Sequence, residues 1–124
     1  MTAKKVLSIG QCFADHAAIA HTLSRDFGAE VVAASDRAEA LSLLRSESFA
    51  LVLVNRILDA DGSPGLDVIK ELKSDEALRA LPVLLVSNHE QAQREAVQAG
   101  AEMGFGKAAL GQPAMLGRVR PFLA

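Results

Sequence analysis

The chain alternates five times between a short apolar run and a longer segment with helical spacing, and this rhythm restricts the folds open to it. Val6-Leu7-Ser8-Ile9 reads as a strand closed by Gly10. From about Ala14 to Phe27, Ile19, Leu23 and Phe27 recur at i, i+4 and i+8. That is one apolar helix face, with Gly28 as its C-cap. Glu30 to Ala34 reads as a second strand. Asp36 and Glu39 have the spacing of a capping box, and Leu41 and Leu44 supply the stripe of the helix that follows. Phe49 to Val54 is apolar throughout, as suits a central parallel strand covered on both faces. A turn over Asp59 to Gly65 leads into a helix bearing Leu66, Ile69 and Leu72. Leu81 to Val86 is a fourth strand, with Pro82 at its start, where a missing donor is tolerable. Ser87-Asn88 can cap a helix running to Gly100, whose inner face is Ala92, Ala96 and Ala99. Met103 to Gly106 is a short fifth strand. Pro113 suits the first turn of a last helix carrying Leu116, Val119 and Phe122, with Pro121 disturbing its end.

Strand and helix in this alternation predict an α/β fold, a parallel sheet with helices on both faces. In such sheets the ligand crevice lies beyond the C-terminal ends of the strands. The residues expected there are Gly10, Gln11, Asn55, Ser87 and Lys107. A chain of 124 residues, half of them hydrophobic and 23% charged, suits one globular domain over residues 1–124. The net charge of −2 and the lack of a basic stripe argue against a nucleic-acid surface. No run approaches the ~18 apolar residues of a membrane span. The single cysteine, Cys12, excludes an internal disulfide, and the Met1-Thr2-Ala3-Lys4-Lys5 start is too short for a signal peptide. These features predict a cytoplasmic protein or domain.

Several local patterns have plain readings. Asn55, taken alone, is a turn residue at a strand end. Ser87 alone is a helix cap and Lys107 a solvated lysine. Asp59-Ala60-Asp61-Gly62 hints at a calcium loop, but the closing position that needs Glu falls on Lys70. Gly104-Phe105-Gly106-Lys107 lacks the remaining residues of a phosphate loop, since positions 101 and 108 are Ala101 and Ala108. His16 and His21 lie at i and i+5 and do not share a helix face as a metal pair would. His89 is isolated. Cys12 has no evident activating base and reads as an inert small residue.

Taken together, the residues resemble the receiver domains of two-component response regulators. The landmarks are the spacing of the five units, Gly65-Leu66-Asp67, Pro82-Val83, Ser87, Gly100-Ala101 and Lys107. The resemblance implies a flavodoxin-like (βα)5 three-layer sandwich with strand order 2-1-3-4-5. It also implies a site in which an aspartate after the third strand takes a phosphoryl group from a histidine kinase. Mg²⁺ is held there by that aspartate, an acidic pair after the first strand and one backbone carbonyl. A hydroxyl and a lysine bind the phosphoryl oxygens. By position, Ser87 and Lys107 match the hydroxyl and the lysine, and Ile57 would supply the carbonyl. The acceptor position, however, holds Asn55, and the acidic pair is Gly10 and Gln11. The aromatic switch position is Gly104, the proline after the lysine is Ala108, and the loop from Asn55 to Gly65 is longer than is usual in that family.

Replacing three carboxylates by Gly10, Gln11 and Asn55 removes the negative charge that a hard dication needs. Mg²⁺ binding is therefore expected to be lost or very weak, and no cofactor is expected. An amide is also a negligible nucleophile, and phosphoryl transfer depends on nucleophile and metal together. Lys107 is expected to hydrogen-bond the Asn55 amide oxygen or to reach Asp59 or Asp61. The reading is a non-enzymatic signalling module working by phosphorylation-independent protein contact. Its expected partners are signalling proteins, a histidine kinase or an attached output domain among them, with a homodimer possible and neither nucleic acid nor membrane bound. The alternatives are a receiver phosphorylated at a non-standard site and a small-ligand binder using the vacated crevice.

Overall fold

The structure is a computed structural model describing residues 3–124; Met1 and Thr2, which open the expected N-terminal stretch and the 1–124 domain, lie outside the described residues. Five strands form one parallel sheet: β1 (Lys5–Ile9), β2 (Glu30–Ala34), β3 (Leu51–Asn55), β4 (Val83–Val86) and β5 (Glu102–Phe105). Their order is β2-β1-β3-β4-β5, the flavodoxin-like arrangement expected. Among the described residues, five α-helices connect and follow them: α1 (Phe13–Phe27), α2 (Arg37–Ser46), α3 (Gly65–Ser74), α4 (Glu90–Gln98) and α5 (Pro113–Leu123).

The sheet divides the apolar residues into two cores. Side chains alternate across a strand, so Leu7, Ile9, Val52, Val54 and Leu85 face one way, toward Ala40 and Leu44 of α2, Val68, Ile69 and Leu72 of α3, and Ala96 of α4. Val6, Leu51, Leu53, Leu84 and Val86 face the other way, toward Ile19 and Leu23 of α1 and Met115, Val119 and Leu123 of α5. All of β3 is buried, which explains its unbroken apolar run. Burying each of the Val, Leu, Ile and Met side chains is worth about 1.5–3 kcal/mol, and that gain holds the three layers together.

Local signals set most element ends. Gly28 takes the left-handed conformation at φ 64° and closes α1 by donating to Leu23 O and Ser24 O. At α2 the Glu39 N–H donates to Asp36 Oδ1 at 2.9 Å, and Glu39 Oε1 accepts from the Ser35 N–H at 2.9 Å. The capping box thus reaches one residue further back than its usual form. Two details differ from the sequence reading. Pro121 lies inside α5 without ending it, and the stripe of that helix is Met115, Val119 and Leu123, with Leu116 and Phe122 only half-buried. The cap of α4 also moves. The helix starts at Glu90, with His89 at its N-cap position and no side-chain bond there. Ser87 Oγ instead accepts from the His89 N–H at 3.1 Å. Asn88 Oδ1 accepts from the Ala108 N–H at 3.1 Å, tying the end of β4 to the segment after β5.

Three surface carboxylates are held below the ordinary carboxylate range. At Asp75 the cause is the Arg45 guanidinium, followed by the Ala77 N–H; at Asp61 it is the Ser63 hydroxyl and then its N–H; at Asp26 it is Arg25. A lowered folded-state pKa adds stability that is complete above the unfolded pKa and is lost as pH falls through the folded one. Chemical denaturation followed against pH should therefore show stability flat near neutrality and falling below about pH 4. Replacing Asp75 and Asp61 by Asn should flatten that acid limb.

Candidate functional site

The crevice lies on the side the topology predicts, at the C-terminal ends of β3, β4 and β5. A cavity of about 250 Å³ there is lined by Asn55, Ser87 and Lys107, together with Arg56, Ile57 and His89. Asn55 ends β3, and Ser87 directly follows β4, whose Val86 is registered against Asn55. Lys107 comes from the turn after β5. Three residues picked out by sequence are therefore brought together. Gly10 joins them through one bond: the Asn55 amide donates to Gly10 O at 3.0 Å. Gln11 is half-buried and does not line the cavity, and its two amide atoms are buried without a hydrogen-bond partner.

The loop between β3 and α3 folds back over the end of β1. The Leu58 N–H donates to Ser63 O and the Gly62 N–H to Leu58 O, so the loop is closed on itself. The Asp59 N–H donates to Gly10 O at 2.9 Å, so that carbonyl accepts both Asn55 and the loop. Leu58 is completely buried in the α2–α3–α4 core and rests on Gly10. Gly10 has φ +73°, and a Cβ built on it would come within 2.3 Å of Leu58 Cδ2 and 2.9 Å of Leu58 Cα. Backbone and packing together demand glycine at this position.

Lys107 does not make the expected bond. Its ammonium lies 3.1 Å from Asp15 Oδ2 of α1, not against Asn55, Asp59 or Asp61. Asp59 and Asp61 are exposed, and Asp61 is occupied by Ser63, whose N–H and hydroxyl it accepts at 2.9 and 2.7 Å. The sequence reading missed Asp15. Its place in the first turn of α1, directly above the crevice end of β1, was the available signal.

Gln93 was also missed. It sits on the inner face of α4 beside Ala96 and is buried. The β4–β5 register shifts between Leu84↔Glu102 and Val86↔Phe105, which places an extra residue in β5. Gln93 meets the backbone groups that this bulge leaves unpaired. Its Nε2 donates to Leu85 O at 2.9 Å and Ser87 O at 3.1 Å, and its Oε1 accepts from the Gly104 N–H at 3.1 Å. Changing Gln93 to Leu keeps the size but strands the Gly104 N–H and the Leu85 and Ser87 carbonyls. Urea unfolding should show a loss of about 2 kcal/mol.

A hard dication fits this arrangement poorly. Gly10 carries no side chain and has no room for one, Asn55 offers a neutral amide directed at a carbonyl, and Gln11 stands apart from the cavity. Among the described residues no group of three or more His, Cys, Asp or Glu side chains could hold a metal ion. No helix among them is long and apolar enough to cross a membrane.

This architecture is the receiver-domain fold of two-component response regulators. A protein described as a response regulator from Chloroflexus aurantiacus superposes with a TM-score of 0.85 at 20% identity, covering 98% of both chains. The chemotaxis protein CheY4 of Vibrio cholerae superposes at 0.77 with 20% identity over 99% of this chain and 100% of its own. NtrX of Brucella abortus superposes at 0.82 with 23% identity over 98% of this chain, which spans only 27% of the NtrX chain. No protein-family model matches the chain. A search of curated proteins returns no match.

Proposed function

We propose that the chain is a receiver-like module of two-component signalling that works by protein contact, without phosphorylation. In this reading Asn55 stands at the acceptor position, Gly10 and Gln11 at the acidic pair, and Ser87 and Lys107 at the phosphoryl-binding positions. The module is not an enzyme and carries no resident Mg²⁺. Its partners are signalling proteins, such as a histidine kinase or an attached output domain, met in the cytoplasm. The face formed by the fourth and fifth units is the docking surface by analogy with the fold.

The observation that carries this reading is the double use of Gly10 O by Asn55 and the Asp59 N–H, with Leu58 packed on Gly10. The place of a carboxylate–metal site is filled by neutral groups in mutual contact. Lys107, which would otherwise meet a phosphoryl oxygen, is paired with Asp15. The β4–β5 edge is further pinned by Gln93, and Gly104, at the position read as the aromatic switch, has no room for a side chain. Titration with millimolar Mg²⁺, followed by amide NMR, tests the reading. The expected result is no saturable shift at Gly10, Gln11, Asn55 or Ile57. A saturable shift confined to those amides would contradict it.

A further inference from the structure

The crevice cavity continues into a second one of about 300 Å³ between α3 and α4, which is lined by Pro64, Leu66, Leu85 and Ala92. Arg56, Ile57 and His89 line both, so the two are ends of a single groove. The ends differ in chemistry. The crevice end has Arg56, Lys107, His89 and the Ser87 hydroxyl, and no carboxylate in its lining. The other end is mainly apolar, with Glu95 at its far side hydrogen-bonded to Gln91. Arg56, at the junction, is half-buried, and its guanidinium enters no ion pair or hydrogen bond among the described residues. A guanidinium is built to grip a phosphate or carboxylate through paired N–H donors, so a half-sheltered one without a partner marks a place for an anion. The start of α4 meets the same junction without a side-chain cap, adding N–H donors and the positive end of a helix. Glu90 in that first turn opposes this only weakly: its side chain is 91% exposed and lies 3.9 Å from Arg94.

We propose that the groove binds a small amphipathic anion non-covalently, with its phosphate or carboxylate head against Arg56 and its compact apolar body against Leu66 and Ala92. The two cavities together match the size of ordinary small-molecule sites. The inference does not rest on the signalling role proposed above, because the anion touches neither Gly10 nor Gln11 and forms no bond to Asn55.

The test is an amide NMR titration of the full chain with phenyl phosphate, benzoate, inorganic phosphate and phenol. Phenyl phosphate or benzoate should shift Arg56, Ile57, His89 and Ala92 together. One of them should bind at least about tenfold more tightly than both inorganic phosphate and phenol, since head and body each contribute. Whichever of the two binds better identifies the head as phosphate or carboxylate. Arg56→Gln should remove most of the advantage over phenol, and Leu66→Asn most of the advantage over inorganic phosphate. The proposal is overturned if no probe binds at millimolar concentration or if the shifts fall outside the groove. It is equally overturned if neither phenyl phosphate nor benzoate binds more tightly than both inorganic phosphate and phenol, or if Arg56→Gln leaves anion binding unchanged while the variant remains folded. Any of these failures would leave the Mg²⁺ titration of the proposed function unaffected, so the two claims fail separately.

Discussion

Gly104→Ala should be among the most destabilising single changes available in this chain, costing on the order of 4 kcal/mol in denaturant unfolding. A Cβ on Gly104 would lie 2.0 Å from Leu85 O, 2.9 Å from Leu85 N and 3.0 Å from Gln93 Oε1. Two of these are backbone atoms of the neighbouring strand, so no side-chain rotation relieves the overlap. The β5 bulge would have to open, and Gln93 would lose its bonds to Leu85 O and Gly104 N. Gly104→Tyr, which places an aromatic where the receiver resemblance expects one, should fare no better, because the clash starts at Cβ. Gly117→Ala is the internal control. It lies in α5 with nothing within 4 Å of the added methyl, and it should be neutral or stabilising by up to about 1 kcal/mol. A small loss at Gly104 comparable to Gly117 would mean that the β4–β5 edge is not pinned as described.

Gly10→Asp should be the second large loss, at least about 3 kcal/mol by the same measurement. The residue must adopt φ +73°, and its Cβ meets Leu58 Cδ2 and Cα. The change also tests the metal argument. Putting carboxylates back at Gln11 and Asn55 alone leaves Leu58 over Gly10 and the Asp59 N–H on Gly10 O, so Gln11→Asp with Asn55→Asp should gain little Mg²⁺ affinity. Leu58→Ala added to that pair relieves the packing on Gly10 but leaves a cavity in the core, at a cost of about 2–5 kcal/mol.

The fold was legible because its determinants are periodic and local. The unbroken apolar run of β3, the i, i+4 stripe of α1 and the Gly28 cap each act within a few residues and agree with one another. The errors arose where a tertiary contact decides. Leu116, Val119 and Phe122 have helical spacing, but so do Met115, Val119 and Leu123, and only packing against the sheet chooses the second set. Of the candidate site the sequence showed positions at strand ends, and Asn55, Ser87 and Lys107 do line one cavity. Their partners were not legible in it. Lys107 turns to Asp15 across 92 residues of chain, a contact whose only local hint is the place of Asp15 in the first turn of α1. Leu58 and Gln93 look like a loop residue and a helix-surface residue in sequence. Their burial follows from a folded-back loop and a strand bulge, both of which exist only once the layers have packed.

Incubating the chain with acetyl phosphate and Mg²⁺ and then measuring its intact mass tests the central claim most directly. The account predicts an unchanged mass, with no acid-stable or hydroxylamine-sensitive adduct. A stable gain of one phosphoryl group, lost on hydroxylamine treatment and mapped by peptide analysis to the crevice or its loop, would contradict it.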